Sequence, residues 1–598
     1  MLTMNNFWAF TFFSVIQSCF TLSLQNPVVK DVSQEGDLLP LNITLLHVND
    51  IHAHFDEINS YTGRCHQDQA KNGECFGGAG RMITKVNEIR DKNPNNTLFL
   101  NAGDYYQGTI YYTLFKYEVV TEFANLLNYD AFGVGNHDFD DGSDGLIPFV
   151  NDINFPVLAA NLDTSNCPEL NISKSITLDR EGHTIGIIGY ITADTPDIST
   201  ANLTNLKFLD VITSVQEEAT RLVDSGVNII IAMGHAGYEI DTEMASKVKE
   251  LDLIVGGHSH TFLWTGSDPP SVEQPRGEYP TYVKVEGSDK VIPVVQAYAY
   301  GKYIGHLELS FDKEGDLMKP VNGVGVNYAL PILLDSSIEM DPAAVDVSTK
   351  YRENMTEYTD PVGVTKVLLK LEGYKESNIG NVLTDSMIDA WQGEAEMGFI
   401  NNGGVRAPII QGNIAGEDIF NVLPFNNTVD RLTMKGKDIR FQLEKAIEDL
   451  CPNKTCYSSF LQVSKGVRLV YRIQAHNQGN RIEKFQVKCD KEWCNVEDDK
   501  DYRIVMPSFL ATSNYFSVRN FVKNREIGKI DYDAFKDYVE KKEILDEDVD
   551  GFGRIIIIYD TDETTTSTPS AGVSTSALRM FLLTTFALII TTKIILQY

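Results

Sequence analysis

The sequence is poor in positive charge. Its 598 residues contain 51 lysines and arginines against 83 aspartates and glutamates, which gives a formal net charge of −32. Binding nucleic acid without sequence preference requires a basic surface, so this composition argues against a nucleic-acid-binding protein. It does not exclude a small phosphorylated substrate, because bound metal ions or a few arginines reverse the field locally. The chain also lacks an internal repeat, which argues against a repeat architecture.

The composition is that of a folded protein, with 43% hydrophobic and 22% charged residues. A chain of this length exceeds what one hydrophobic core supports, so we expect at least two domains. In the first half, short β-branched runs predict buried strands of an α/β sheet at 43–48, 98–100, 185–188, 228–233 and 251–255. Helical periodicity at 80–90 and 212–223 predicts helices that pack on that sheet.

A change near Asp341 to polar, helix-favouring residues predicts the domain boundary. Asp341 followed by Pro342 is typical of a helix start, with an aspartate cap and proline in the first turn. We therefore predict a first domain over 41–335, a joining helix within 336–357 and a second domain over 358–559. The second domain has its own apolar runs at 397–400, 467–471 and 503–509.

Both termini carry apolar runs that indicate processing. Residues 7–16 are too few to cross a bilayer and precede small residues, which predicts a signal peptide over 1–23; a buried terminal strand or helix is the alternative. Near the other end, the small triplet Ser570-Ala571-Gly572 and an apolar run over 580–596 predict a glycosylphosphatidylinositol (GPI) anchor signal within 560–598. The alternative is a transmembrane anchor, which Lys593 disfavours. Either anchor puts the folded domains on the extracellular face of the membrane.

Cysteine spacing and glycosylation acceptors agree with secretion. Close spacing predicts local disulfides in the pairs Cys65/Cys75, Cys451/Cys456 and Cys489/Cys494. Cys19 would leave with the signal peptide, and Cys167 remains as a buried thiol or as a partner for a second chain. Asn-x-Ser/Thr acceptors occur at Asn42, Asn95, Asn171, Asn202, Asn354, Asn426 and Asn453.

Short polar motifs follow directly on apolar runs of the first domain. They are Asp50-Ile51-His52, Gly103-Asp104, Gly135-Asn136-His137-Asp138, Gly234-His235 and Gly257-His258-Ser259-His260. One such histidine alone is more often a core or turn residue, but the set predicts a site at the carboxyl ends of the strands. Asp, Asn and His without cysteine suit Zn²⁺, Mn²⁺ or Fe. A lone aspartate after glycine is a natural bridge in a two-metal site, which favours metal-assisted hydrolysis of a phosphoester.

The order of these motifs resembles that of the calcineurin-like metallophosphoesterases. The fuller strings NAGDYYQG (101–108), GNHDFD (135–140) and GGHSH (256–260) resemble the 5′-nucleotidase branch, which includes ecto-5′-nucleotidases and arthropod apyrases. The resemblance extends from about residue 41 to 555. It implies a two-domain α/β (α+β) fold, with an N-terminal β-sandwich flanked by helices, a joining helix and a C-terminal substrate-binding domain.

The resemblance also implies the ligands of two divalent metal ions, zinc with manganese as the alternative. One ion would be held by Asp50, His52 and His260, the other by Asn136, His235 and His258, and Asp104 would bridge them. His137 and Asp140 match a catalytic dyad beside the metals. A cationic His137 would stabilise charge on the phosphoryl oxygens or protonate the leaving oxygen, and Asp140 would orient it.

In this family the C-terminal domain supplies the nucleoside pocket. The string FINNGGVRAP (399–408) nominates Asn401 and Arg406 as substrate contacts, and the strings VLPF and PSFLA nominate Phe425 and Phe509 as rings around the base. Asn514 stands near the position where the family has a ribose-binding aspartate. The loop 373–377 is shorter than in ecto-5′-nucleotidases and has no cysteine pair, with Lys375 as the remaining charge.

The implied function is hydrolysis of nucleoside 5′-monophosphates, AMP above others, to nucleoside and phosphate. An apyrase-like hydrolase of ATP and ADP is one alternative, because the altered loops leave that preference open. A surface binding protein with weak turnover is the other. Anchored relatives form dimers, so a homodimer is expected as well. Family members also rotate the C-terminal domain, with a hinge expected near 341–356.

Overall fold

The computed structural model of the chain describes residues 39–199, 201–318, 327–448, 458–473, 479–513, 518–546 and 553–559. The predicted signal peptide, the anchor region, Asn514 and the pair Cys451/Cys456 lie outside these ranges. Within them, no helix combines the length and the apolar character needed to cross a bilayer.

Two mixed β-sheets form the N-terminal domain. The first is seven-stranded, with Ile332–Leu333 pairing beside the path Tyr328–Ala329, Tyr303–Phe311, Leu41–Val48, Thr97–Asn101, Ala131–Gly133 and Val157–Leu158. The second is six-stranded, in the order Thr281–Lys284, Val291–Val295, Leu253–Val255, Ile229–His235, His183–Ile191 and Ser175–Arg180. The strands that precede the sequence motifs pair in parallel, so their carboxyl ends meet at one edge of each sheet.

The strands are buried on both faces, which explains their continuous apolar runs. Ile229 and Ile231 point into the cluster between the two sheets, whereas Ile230 and Ala232 pack under the outer helices. Burying one such isoleucine contributes about 1.5–3 kcal/mol. Because all of these runs are apolar on both faces, the sequence pattern predicts the strands but does not show which of the two sheets each strand joins.

Helices cover the outer faces of the sandwich, and further helices belong to the C-terminal part of the chain. In the N-terminal domain they are Gln67–Lys71, Ala79–Lys92, Ile110–Leu127, Gly142–Asp152, Thr195–Ile198, Val211–Asp224 and Tyr238–Lys247. The C-terminal part of the described chain contains Pro342–Arg352, Asn378–Ala390, Gly416–Val422, Gly436–Lys445, Ser508–Thr512 and Asp531–Lys542. The helix Ile110–Leu127 is interrupted at Lys116, where φ is 52°.

The C-terminal domain is built around a five-stranded sheet, in the order Leu461–Val463, Met397–Asn401, Asp501–Pro507, Val429–Lys435 and Lys523–Glu526. A four-stranded sheet contains Glu492–Asn495, Ile482–Cys489, Val467–Ile473 and Ile555–Tyr559. A three-stranded sheet contains Gly412–Ala415, Pro361–Thr365 and Ile544–Leu545. The apolar run 503–509 is not one strand: the strand ends at Pro507, and Ser508 begins a helix that carries Phe509.

The helix Pro342–Arg352 lies between the domains, and ion pairs from its end join them. Asp341 caps the helix by accepting the backbone N–H groups of Ala343 and Ala344. Arg352 contacts Asp56 of the N-terminal domain at 2.7 Å and Glu417 of the C-terminal domain at 3.7 Å. An apolar cluster also continues from the seven-stranded sheet into the C-terminal domain. These contacts hold the C-terminal domain over one end of the sandwich.

The described cysteines follow the predicted pairing. Disulfides join Cys65 to Cys75 and Cys489 to Cys494. Cys167 is a free, buried thiol, which fits the first of the two alternatives for it.

Candidate metal centre

The polar motifs of the N-terminal domain converge where the two sheets meet at their carboxyl-end edges. Asp50, Asp104 and Asn136 follow strands of the seven-stranded sheet. His235 ends a strand of the six-stranded sheet, and His258 follows the next strand of it. The site is therefore shared by both layers of the sandwich, which fixes its parts on rigid elements.

Two groups of side chains have the spacing of metal-ion sites. In each group the potential ligand atoms lie within 4.8 Å of one another; the groups are Asp50, His52 and His260, and Asp104, His235 and His258. Oxygen and imidazole donors without thiolates suit borderline divalent ions such as Zn²⁺ and Mn²⁺.

Asp104 belongs to the second group, and its carboxylate also lies close to the first group. Its Oδ2 atom is 2.8 Å from Nε2 of His235 in one group and 3.7 Å from Nε2 of His52 in the other. Its Oδ1 atom accepts the backbone N–H of His137 at 2.8 Å. This is the position that a carboxylate shared by two metal ions requires.

Several of these side chains extend from left-handed backbone. The φ angles are 53° at Asp50, 50° at His52, 55° at Asp104, 75° at His258 and 49° at His260. Such a conformation costs of order 1–3 kcal/mol for a residue other than glycine, and it persists only where the surroundings impose it. Its concentration here indicates that the backbone is bent in order to turn these side chains toward one another.

Backbone carbonyls orient two of the histidines. Nδ1 of His52 lies 2.9 Å from the carbonyl of Gln107, and Nδ1 of His235 lies 2.8 Å from that of Ala102. A carbonyl only accepts, so each contact assigns a proton to Nδ1 and leaves Nε2 as the atom that could coordinate a metal ion.

Burial and charge set the protonation of the histidines. Burial lowers the pKa of His258 to about 4, and burial together with Arg406 lowers that of His52. Burial also acts to lower the pKa of His235, but the carboxylates of Asp104 and Asp50 outweigh it and raise the pKa to about 10. A cation between these groups would replace that proton, because metal binding and protonation compete for the same atom.

Asn136 supplies a test of whether the residues fit a metal. Its Oδ1 atom is buried and finds no hydrogen-bond donor within the described part of the chain. A buried polar atom left unpaired costs about 1–3 kcal/mol, so it calls for a partner such as a cation. The preceding Gly135 is packed so tightly on Asp104 that a Cβ atom would collide with its carboxylate. The donor set and this orphaned oxygen both fit divalent ions.

His137 and Asp140 form a hydrogen-bonded pair beside Asp104. Nδ1 of His137 lies 2.8 Å from Oδ2 of Asp140, and the two side chains are 16% and 5% exposed. Burial opposes a charge on His137, but Asp140 and Asp104 outweigh it and raise its pKa. The bond to Asp140 thus holds the imidazole in one orientation through Nδ1 and leaves Nε2 as the ring nitrogen for other contacts.

The C-terminal domain reaches the same centre with an arginine and a phenylalanine. Nη2 of Arg406 lies 3.1 Å from Nε2 of His52. The ring of Phe425 stacks on His137, with centroids 5.5 Å apart and planes at 29°, and the guanidinium of Arg406 lies 5.7 Å from the Phe425 centroid. The guanidinium of Arg406 and the ring of Phe425 therefore border the two ligand clusters.

The other nominated substrate residues make different contacts. Asn401 donates through Nδ2 to the carbonyl of Ser458 at 3.1 Å, a bond that braces its own loop. Phe509 is partly buried against the apolar cluster around Met506 and Leu510 of the C-terminal domain. These contacts do not connect either residue to the ligand clusters.

Sequence reasoning assigned no role to three residues that support the site. Asn49 donates to Oδ2 of Asp50 at 2.6 Å, and the ring of Tyr300 lies 5.3 Å from that of His260. Asp138 accepts the backbone N–H groups of Tyr105, Tyr106 and Gly135 and so ties two motif loops together. Asn49 directly precedes the motif Asp50-Ile51-His52, which was the available signal for it.

Comparison with known proteins agrees with this geometry. Residues 43–262 match the family model "calcineurin-like phosphoesterase", and residues 361–516 match "5′-nucleotidase, C-terminal domain". The chain is 37% identical to a 5′-nucleotidase of Bos taurus over 546 residues, 86% of this chain and 90% of the relative. It is 34% identical to an apyrase of Tabanus yao over 571 residues, 91% and 99% of the two chains. A crystal structure of a 5′-nucleotidase precursor from Thermus thermophilus is similar with a TM-score of 0.78 at 31% identity, covering 87% of this chain and 100% of that one.

Proposed function

Because the chain belongs to the 5′-nucleotidase family of calcineurin-like phosphoesterases, we propose that it hydrolyses nucleoside 5′-monophosphates outside the cell, with AMP preferred. Membership of the family makes it a phosphoric monoester hydrolase that acts on nucleotides with the help of two divalent metal ions. The preference for AMP, the metal, the location and the role of each residue are the proposal. The observation that carries it is the position of Arg406 and Phe425 at the paired ligand clusters.

We assign one ion to Asp50, His52 and His260, the other to Asn136, His235 and His258, and a bridging role to Asp104. Zinc is the proposed native metal and manganese the alternative, since imidazole and carboxylate donors suit both. When bound, two such ions neutralise charge on the phosphate and supply a nucleophile from water near neutral pH.

The residues of the chain do the remaining work around the phosphate. His137, held by Asp140, faces the centre as a cation and stabilises the phosphoryl oxygens or protonates the leaving oxygen. Arg406 offers two parallel N–H donors to the non-bridging oxygens. In the proposed complex the phosphate replaces the direct contact between Arg406 and His52 and bridges the guanidinium and the ligand clusters.

The nucleoside would occupy the C-terminal side of this cleft. Phe425 presents an aromatic face next to Arg406, which suits stacking of a purine. Phe509, Asn401 and Asn514 remain proposals for the second ring and for polar contacts. Asn401 uses its Nδ2 atom in the bond to Ser458, and Phe509 is only partly buried by the apolar cluster, so both retain capacity for a substrate contact.

We further propose export by the signal peptide over 1–23 and anchoring by a glycolipid attached near Ser570. The apolar terminal runs, the disulfides and the glycosylation acceptors support an extracellular setting. Release of the protein from intact cells by a phosphatidylinositol-specific phospholipase would test the anchor. A homodimer through the C-terminal domain is also proposed, and light scattering of the released protein would test it.

The function is tested by phosphate release from the purified protein supplied with Zn²⁺ or Mn²⁺. AMP, ADP and ATP are offered separately at equal concentration, and metal-depleted protein is the blank. We expect release from AMP with the largest kcat/KM. A larger kcat/KM for ADP and ATP would favour the apyrase-like alternative, which the similarity to the Tabanus yao protein keeps open. No release from any of them, with metals bound, would leave a binding protein.

A further inference from the structure

A buried amide lies behind the loop that carries His258 and His260. Gln296 follows the strand Val291–Val295, and its side chain has no exposed surface. Its Oε1 atom accepts from Oγ of Ser259 at 3.1 Å and from the backbone N–H of Thr261 at 3.0 Å. Its Nε2 atom donates to the carbonyl of Gly257 at 3.0 Å. One amide thus contacts the residues that alternate with the two histidines.

A buried carboxylate fixes which way this amide points. Oδ2 of Asp241 accepts from Nε2 of Gln296 at 2.9 Å, and Oδ1 of Asp241 accepts from the hydroxyl of Tyr190 at 2.8 Å. The backbone carbonyl of Gly257 only accepts, so it directs Nε2 toward itself, and Asp241 accepts the second N–H of the same amide. Oε1 is then left to receive the two donors from Ser259 and Thr261. If the amide were flipped, its Nε2 donor would face the backbone N–H donor of Thr261.

The same segment also reaches Asp50. The backbone N–H of Ala297 donates to Oδ1 of Asn49 at 2.8 Å, and Nδ2 of Asn49 donates to Oδ2 of Asp50 at 2.6 Å. Asp50 in turn accepts the backbone N–H of His258 at 3.0 Å. Residues 296 and 297 therefore connect the last strands of the six-stranded sheet to ligands of both clusters.

This support explains how the loop keeps its conformation. His258 and His260 both adopt left-handed φ values, which cost free energy unless neighbouring contacts impose them. The hydrogen bonds of Gln296 act on the residues before, between and after the two histidines. These hydrogen bonds restrain the backbone on both sides of His258 and His260, which both have left-handed φ values.

We propose that Gln296, oriented by Asp241, is a positioning residue that holds His258 and His260 in place for both metal ions. The proposal rests on the metal assignment given above for the 5′-nucleotidase function. Neither residue touches substrate or metal itself, so its effect appears first in metal affinity. Removal of such supporting partners typically lowers metal affinity about 10- to 100-fold.

Gln296→Met tests this in the full-length purified protein. The variant keeps the length of the side chain and removes all of its hydrogen bonds. We expect Zn²⁺ and Mn²⁺ affinity, measured by competition with a chromogenic chelator, to fall about 10- to 100-fold for the weaker ion. At saturating metal, kcat for AMP should recover in part while KM stays near that of the parent. Parental metal affinity in Gln296→Met would overturn the proposal.

A matched control exists in the C-terminal domain. Gln442 is also buried, and neither of its amide atoms has a hydrogen-bond partner in the part of the chain that the structure describes. Gln442→Met makes the same chemical change away from the metal centre, and we expect unchanged metal affinity. An equal loss of affinity in both variants would reduce the effect of Gln296→Met to general destabilisation and so contradict the proposal.

A second pair of variants covers the case in which Gln296→Met fails to fold. Gln296→Glu places a second carboxylate against that of Asp241. This variant should weaken metal binding at least as much as Gln296→Met. The double variant Asp241→Asn/Gln296→Glu restores a donor at 241 facing an acceptor at 296, while the Gly257 carbonyl still faces a carboxylate oxygen, so it should regain part of the metal affinity that Gln296→Glu loses. A double variant no better than the single one would refute the orienting role of Asp241. Parent protein that binds two ions and fails to hydrolyse AMP would contradict the proposed function and leave this comparison intact.

Discussion

Arg406 gives the sharpest test of how the two domains cooperate. It belongs to the C-terminal domain, yet its guanidinium lies 3.1 Å from a histidine of the metal centre. If it binds the phosphate of AMP, Arg406→Ala removes a charge-assisted hydrogen bond, which contributes about 1.5–3 kcal/mol. At about 1.4 kcal/mol per tenfold change, kcat/KM should fall about 10- to 150-fold.

The assay compares the parent with Arg406→Ala and Arg406→Lys at saturating metal. Both variants should keep two bound ions, because Arg406 is not a ligand. Inhibition by inorganic phosphate should weaken by a similar factor in Arg406→Ala. Arg406→Lys restores the charge without the planar fork, so it should recover only part of the loss. Unchanged kcat/KM and unchanged phosphate inhibition in Arg406→Ala would refute the assignment.

Two further predictions concern single side chains. His137→Ala should lower kcat about 10²- to 10⁴-fold and leave the metal content intact, as measured by steady-state kinetics and elemental analysis; joint loss of metal would make His137 structural. Burial raises the pKa of Asp531 to about 8, so the folded state retains a proton that the unfolded state releases above about pH 4. Stability from this group therefore falls as the pH rises from about 4 to about 8. The melting temperature of Asp531→Asn relative to that of the parent should therefore increase as the pH is raised through that range. A difference in melting temperature that does not change with pH would contradict this.

The sequence predicted the N-terminal strands well because they are buried on both faces. The run 229–233 appears as the strand Ile229–His235, and the run 43–48 as Leu41–Val48. Continuous β-branched runs have few other stable environments, and the polar motif after each run marks its end. The two-domain α/β fold expected from the family resemblance is confirmed.

What the sequence could not predict depends on long-range packing. Arg406 and His52 are 354 positions apart, and only the docking of the second domain brings them together. Phe509 ends an apolar run, and the sequence did not show that Pro507 ends the strand and that the phenylalanine lies in the following helix. Gln296 reads as a polar residue after an apolar strand, and its role depends on which buried carboxylate it meets.

The central claim is that two metal ions share Asp104 and together drive hydrolysis of AMP. Asp104→Ala tests it most directly, since Asp104 lies between both ligand groups. Phosphate release from AMP and the number of bound ions would be measured on the same purified samples of parent and variant. We predict two ions and turnover in the parent, with fewer ions and no detectable turnover in Asp104→Ala. Near-parental activity in the variant would contradict the two-metal account.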